Sequence, residues 1–189
     1  FESIDALSEA AAEELISITS DAERERGAAH VALSGGSTPK RLFQILAKRG
    51  RTAMPWEHVH LWWGDERHVP PDHAENHYRK AQAAMFSRVD VPPENIHRIP
   101  AENPDAAAAA SEYEAELRRF FATKPGKLPR FDLALLGMGP DGHIAALFPG
   151  SDALAVSDHL AVATRDAQLK TEWITLTLPV LNNASTVVF

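Results

Sequence analysis

A chain of 189 residues, 44% hydrophobic and 24% charged, has the composition of one ordinary globular domain, which excludes a disordered tract or a fibrous repeat. Its formal charge of -7, with no Lys/Arg-rich run, argues against a nucleic-acid partner, while a small anionic substrate is compatible because a few local donors can hold one phosphate. No apolar run reaches the length of a membrane span, no signal-peptide layout opens the chain and there are 0 cysteines, so the expectation is a cytoplasmic location with no membrane partner, no disulfide and no thiolate chemistry.

From Asp5 to about Arg26, Leu7, Ala11, Leu15 and Ile18 recur at helical spacing among Glu and Ser, predicting an amphipathic helix. Val31 to Ser34 reads as a short buried strand, ended by Gly35 and Gly36 and followed by a helix with Leu42, Ile45 and Leu46 on one face. The order repeats with a strand from Val59 to Trp63, a proline-containing loop and a helix from about Asn76 to Ser87. A third unit runs from a strand at Ile96 to Ile99, through a helix from about Pro104 to Phe121, to a strand at Phe131 to Leu136. Beyond Gly137 the pattern predicts a turn, a short helical stretch, strands at Leu160 to Thr164 and Ile174 to Leu178, and a last strand at the end. Phe1 in the place of an initiating Met, and an ending in Thr186-Val187-Val188-Phe189, predict a chain incomplete at both termini. Alternating strands and helices predict the α/β class, a parallel sheet with helices on both faces, in one domain over residues 1–189.

In open sheets of this class ligands bind beyond the carboxyl ends of the strands, and loops in that position hold the candidate site residues. In Ser34-Gly35-Gly36-Ser37-Thr38-Pro39, the glycines let the backbone approach a ligand while Ser37 or Thr38 caps the helix, so the amides and hydroxyls suit a phosphate. The same residues also serve an ordinary strand-to-helix turn. Neither a P-loop Lys nor a three-glycine fingerprint accompanies them, which disfavours a nucleotide. In Gly64-Asp65-Glu66-Arg67-His68, Arg67 is a candidate for clamping an anion bidentately, with Asp65 and Glu66 candidates to orient it or to act as acid and base. Adjacent residues on a strand point to opposite sides, so both carboxylates do not serve one site, and local ion pairs in a solvated loop are the alternative. In Gly137-Met138-Gly139-Pro140-Asp141-Gly142-His143, Asp141 is near enough to orient the imidazole of His143, leaving its other nitrogen to move a proton. His73 and His77 have the helical spacing of metal ligands, but no third ligand supports them; a wet helix start accounts for both and no metal site is expected. Trp62 and Trp63 read as one core residue and one partly packed residue.

These loops, in this order and with Leu147-Phe148-Pro149 and Ile174-Thr175-Leu176-Thr177-Leu178-Pro179 after them, resemble the 6-phosphogluconolactonase family over nearly the whole chain. The resemblance implies a Rossmann-like open, mostly parallel sheet, no cofactor or metal, and hydrolysis of 6-phosphogluconolactone to 6-phosphogluconate in the oxidative pentose phosphate pathway. It implies His143 as general base with Asp141 as its partner, and Gly35, Gly36, Ser37, Thr38, Arg67 and Lys170 as contacts to a sugar-phosphate substrate. Lys170 stands roughly where the family carries a substrate-binding Lys, with Trp173 in place of the family's Arg, and Ile144 and Ala146 replace its more usual Thr and Ser. Ile144 also fits the related glucosamine-6-phosphate isomerase/deaminase family, whose chemistry needs a base at the sugar C2, for which Asp65 is the candidate; Leu147-Phe148-Pro149 follows the lactonase pattern. A non-catalytic sugar-phosphate sensor is the third reading, without a helix-turn-helix or basic region to support it.

Overall fold

The computed structural model describes all residues except 37, 51, 125 and 167–170. Helix α1 (Ile4–Arg26) starts where the Ser3 hydroxyl accepts the Ala6 N–H at 3.1 Å and stops at Gly27, whose φ of 78° lets its N–H return to the Glu23 carbonyl. Its buried residues Ala12, Leu15, Thr19 and Ala22 recur every three or four positions, and this stripe packs against α2 (Thr38–Arg49) and β1 (Ala29–Leu33). The remaining strands are β2 (Val59–Trp63), β3 (Asp65–Arg67), β4 (Ile96–His97), β5 (Leu133–Leu135), β6 (Ala161–Arg165), β7 (Glu172–Leu176) and β8 (Thr186–Val188), and the remaining helices α3 (His77–Ala84), α4 (Ala106–Phe120) and α5 (Leu178–Asn182).

Five strands form a wholly parallel sheet in the order β4-β2-β1-β5-β8. Both faces are covered, which is why successive residues, Val31 and Ala32, Leu61 and Trp62, Leu133 and Ala134, are all buried. On one face, His30 and Trp62 meet Phe120 and Phe121 at the end of α4, with ring centroids 5.0–5.5 Å apart. On the other, Trp63 meets Tyr78 of α3 and Phe86. Both tryptophans are therefore fully buried, not one buried and one partly packed, because the strand that carries them has a helical layer on each side. Tyr113 of α4 secures that layer by donating its hydroxyl to the Trp63 carbonyl and accepting the Trp63 N–H, each at 3.0 Å.

The expected parallel sheet is present, but three strands leave it for a second, antiparallel sheet in the order β3-β7-β6, which packs against α4. β3 pairs with residues more than a hundred positions later, Asp65 opposite Thr175 and Arg67 opposite Trp173, and no local pattern specifies such a partner. Two element expectations also shift. The stretch after Gly137 forms turns and bridges, Met138 to Ile144 and Ile144 to Leu147, with a 3₁₀ turn only at Asp152–Ala155. β7 ends at Leu176 and α5 begins at Leu178, since Pro179 has no N–H for a ladder and suits the first turn of a helix.

On the α4 face, His30, His60 and His97 lie side by side on β1, β2 and β4. His60 Nδ1 is 3.1 Å from His97 Nε2, and His97 Nδ1 is 2.7 Å from the Glu116 carboxylate. Burial, and then the neighbouring His30 and His97, push His60 down to about 4. The folded state thus favours the neutral ring; that preference contributes fully above pH 6.5, the ordinary value, and is lost as the pH falls towards 4. The expected loss is on the order of 1–2 kcal/mol, less than the whole shift implies because the ring is partly solvated. Thermal melts from pH 7 to 4 will show a falling Tm, and His60→Asn will flatten the dependence.

Candidate active site

β2, β1 and β5 are neighbours with Leu33 opposite Trp63 and Ala32 opposite Ala134, so the loops that follow all leave the sheet on the same edge. The Gly64 N–H continues the ladder to the Leu33 carbonyl at 2.9 Å before the chain turns into β3. Between these loops lies a cavity of about 230 Å³ bordered by Gly35, Gly36, Thr38, Asp65, Arg67, His77, Gly139, His143 and Trp173. A larger cleft of about 570 Å³ surrounds Arg26, His30 and Arg130 near the opposite ends of the strands, away from these loops. Because ligands in this class of sheet bind beyond the carboxyl ends of the strands, the cavity between the loops is the candidate site.

His143 is held by the turn that precedes it. Gly139 donates its N–H to the His143 carbonyl at 2.9 Å, Gly142 returns its own to Gly139 at 3.0 Å, and Gly142 adopts a φ of 86°, which favours glycine. The turn brings Asp141 Oδ1 to 2.6 Å from His143 Nδ1 and 3.3 Å from its backbone nitrogen. The hydrogen bond from His143 holds the Asp141 carboxyl below its ordinary range, so Asp141 is a charged acceptor suited to a proton on Nδ1, an arrangement that makes Nε2 available to accept one. The imidazole also lies 4.8 Å, between ring centroids, from Phe148, which in turn meets Trp173.

Arg67 reaches the cavity from β3, its guanidinium 4.6 Å above the ring of its register partner Trp173 and 3.4 Å from the Glu75 carboxylate. Its Nε is buried and has no hydrogen-bond partner among the described residues. The small antiparallel sheet is therefore what brings Trp173 to the site and what aims Arg67.

His77 does not sit at a wet helix start. It is 5% exposed, with Nδ1 3.2 Å from the Asp65 carbonyl and 3.5 Å from the Asp65 carboxylate. Next to it the buried Glu66 accepts the backbone N–H groups of Arg67, His77 and Tyr78 at 2.8–3.0 Å. Burial raises both carboxyls above their ordinary values, opposed first in each case by His77. The adjacent carboxylates divide as strand alternation requires: Asp65 borders the cavity, whereas Glu66 ties α3 to β3.

Of the residues singled out in the sequence, Gly35, Gly36, Thr38, Arg67 and His143 meet around one cavity and Asp141 braces His143 from behind. Ser37 and Lys170 lie outside the described residues. Among the described residues no group of His, Cys, Asp and Glu is arranged to hold a metal ion, and no helix is long and apolar enough to cross a membrane. His77 and Trp173 escaped the sequence reading as members of the site. The legible signal was the Asn76 cap directly before His77, which sets His77 at the start of a helix that must dock on β3.

A family model described as glucosamine-6-phosphate isomerases/6-phosphogluconolactonase matches residues 2–189. The chain belongs to this family. Within the family it is 47% identical over 166 residues to a 6-phosphogluconolactonase of Synechocystis, an alignment that takes in 87% of this chain and 67% of that protein. It is 44% identical to a 6-phosphogluconolactonase of Nostoc, over 88% of the chain and 67% of the relative. The chain thus spans about two thirds of the length of these curated relatives. Its fold is similar to the crystal structure of 6-phosphogluconolactonase from Thermotoga maritima, with a TM-score of 0.81 at 32% identity over 95% of this chain and 77% of that one. The 6-phosphogluconolactonase from Trypanosoma cruzi gives a TM-score of 0.85 at 28% identity, over 98% and 76% of the two chains.

Two glycines of this site make room for imidazoles. A Cβ on Gly35 would stand 2.1 Å from the His77 ring, and one on Gly139 would stand 2.2 Å from His143. His77 is enclosed and bound to Asp65, so Gly35→Ala is expected to cost about 1–3 kcal/mol in denaturant melts through overpacking. The half-exposed His143 ring can swing outward, so Gly139→Ala will cost clearly less in the same measurement.

Proposed function

We propose that this chain hydrolyses 6-phosphogluconolactone to 6-phosphogluconate, the lactone-opening step of the oxidative pentose phosphate pathway, with His143 as the general base. The observation that carries the reading is the 2.6 Å His143–Asp141 pair opening onto the same cavity as the Gly35–Gly36 turn and Arg67. Nε2 takes a proton from water as the water oxygen bonds to the lactone carbonyl carbon. The bond to the ring oxygen then breaks, and that oxygen receives the proton back from the imidazolium. Asp141 keeps Nδ1 protonated throughout and steadies the cation while it exists. Arg67 and the amides of the Gly35–Gly36 turn, with the Thr38 hydroxyl, are the donors for the phosphate and the developing oxyanion, and the family resemblance adds Ser37 and Lys170 to them.

Lactone hydrolysis is preferred to isomerisation for two reasons. The relatives that align over most of the chain bear the lactonase name. The carboxylate that an isomerase would need at the sugar C2, Asp65, is buried and engaged with His77. The expected partners are thus a small sugar phosphate and no nucleic acid, in the cytoplasmic setting that the composition suggests.

General-base catalysis contributes about 10²- to 10⁴-fold, so His143→Ala is expected to lower kcat on that scale with KM little changed, in a stopped assay of freshly made lactone corrected for spontaneous opening. Near-normal turnover in that variant would remove His143 from the mechanism. Incubation of the wild type with glucosamine 6-phosphate is expected to release no ammonia.

A further inference from the structure

A groove of about 730 Å³ between α2 and α3 adjoins the catalytic cavity, with Gly36 and Arg67 bordering both. Lys40 enters it from the first turn of α2, Lys80 from α3 and Arg88 from the turn that follows α3. Gln44 supplies an amide, while Ala83 and Ala84 line it without filling it. One carboxylate answers these cations: Glu75, 3.1 Å from Lys80 and 3.4 Å from Arg67. The hydrogen bond from Lys80, then the charges of Lys80 and Arg67, hold the Glu75 carboxyl below its ordinary range, so it is ionised. The lining still carries Lys40, Arg67, Lys80 and Arg88 against one negative charge, on a chain of formal charge -7.

Much of the basic surface elsewhere is neutralised locally. Arg24 with Asp21, Arg26 with Asp132, Arg41 with Asp5 and Arg118 with Glu114 are paired at 2.6–2.7 Å. Lys40 and Arg88 have no such partner among the described residues. Like charges converging on a concave lining focus the field there and draw in an anion, and a doubly charged phosphoryl group with several acceptor oxygens suits donors arriving from both helices.

We propose that this groove is a second phosphoryl subsite, so that a sugar carrying two phosphoryl groups binds across Arg67 with one group at the Gly35–Gly36 turn and the other among Lys40, Lys80 and Arg88. Such a sugar is a competitive inhibitor of the lactone. The inference rests on the reading that the glycine turn holds a phosphate.

Calorimetric titration with glucose 1,6-bisphosphate and glucose 6-phosphate, a pair that differs only in the second phosphoryl group, tests it. The wild type is expected to bind the bisphosphate at least about tenfold more tightly, the equivalent of one charge-assisted contact. In the double variant Lys40→Ala/Arg88→Ala the two affinities converge, while glucose 6-phosphate binding, lactone turnover and Tm stay near wild type. Equal affinities in the wild type overturn the subsite, as does a preference that survives in the double variant. An equal fall in both affinities also overturns it, because the groove cations would then serve the first phosphate. Absence of binding by either sugar, together with absence of lactone turnover, overturns the functional reading as well, which separates the two failures.

Discussion

The site depends on one buried carboxylate. Glu66 is 1% exposed and accepts the backbone N–H groups of Arg67, His77 and Tyr78. A carboxyl in that position is costly without donors, and three amides supply them. The same contacts fasten the start of α3 to β3, so the positions of Arg67, Asp65 and His77 all follow from them. Gly35 completes the arrangement, since only a residue without a side chain can pass beneath the His77 ring.

Two sheets with different logic meet at the cavity. The parallel sheet sets the three loops side by side because β2, β1 and β5 are neighbours that end on one edge. The antiparallel sheet adds the wall: β7 pairs with β3 and lays Trp173 beneath the Arg67 guanidinium. Phe148 links that wall to His143 through successive ring contacts. The Leu147-Phe148-Pro149 run, which in the sequence separates lactonase from isomerase patterns, thereby has a physical place as packing against the imidazole and Trp173.

Glycine, histidine and carboxylate have two meanings in this chain, and sequence alone does not separate them. Gly142 needs its positive φ to turn the loop, whereas Gly35 is required by the enclosed His77 ring and Gly139 leaves room for the His143 ring. His143 and Asp141 were legible as a pair because they are two residues apart in a tight glycine-rich turn. His77 was not, because its burial is decided by Asp65 and Glu66, across the intervening loop, and by Gly35, on a different strand-to-helix turn.

The amino-acid sequence by itself determined the alternation of strands and helices, the mostly parallel sheet, the His143–Asp141 turn and the glycine turn at the start of α2. Each of these is written in periodicity, capping or spacing over a few residues, where local physics suffices. The tertiary structure alone decided that β3, β7 and β6 form a separate antiparallel sheet, that both tryptophans of β2 are buried, and that His77 and Trp173 border the cavity. Those outcomes depend on pairings such as Arg67 with Trp173, between segments more than a hundred residues apart, and the energy of such a contact exists only once the chain has closed on itself.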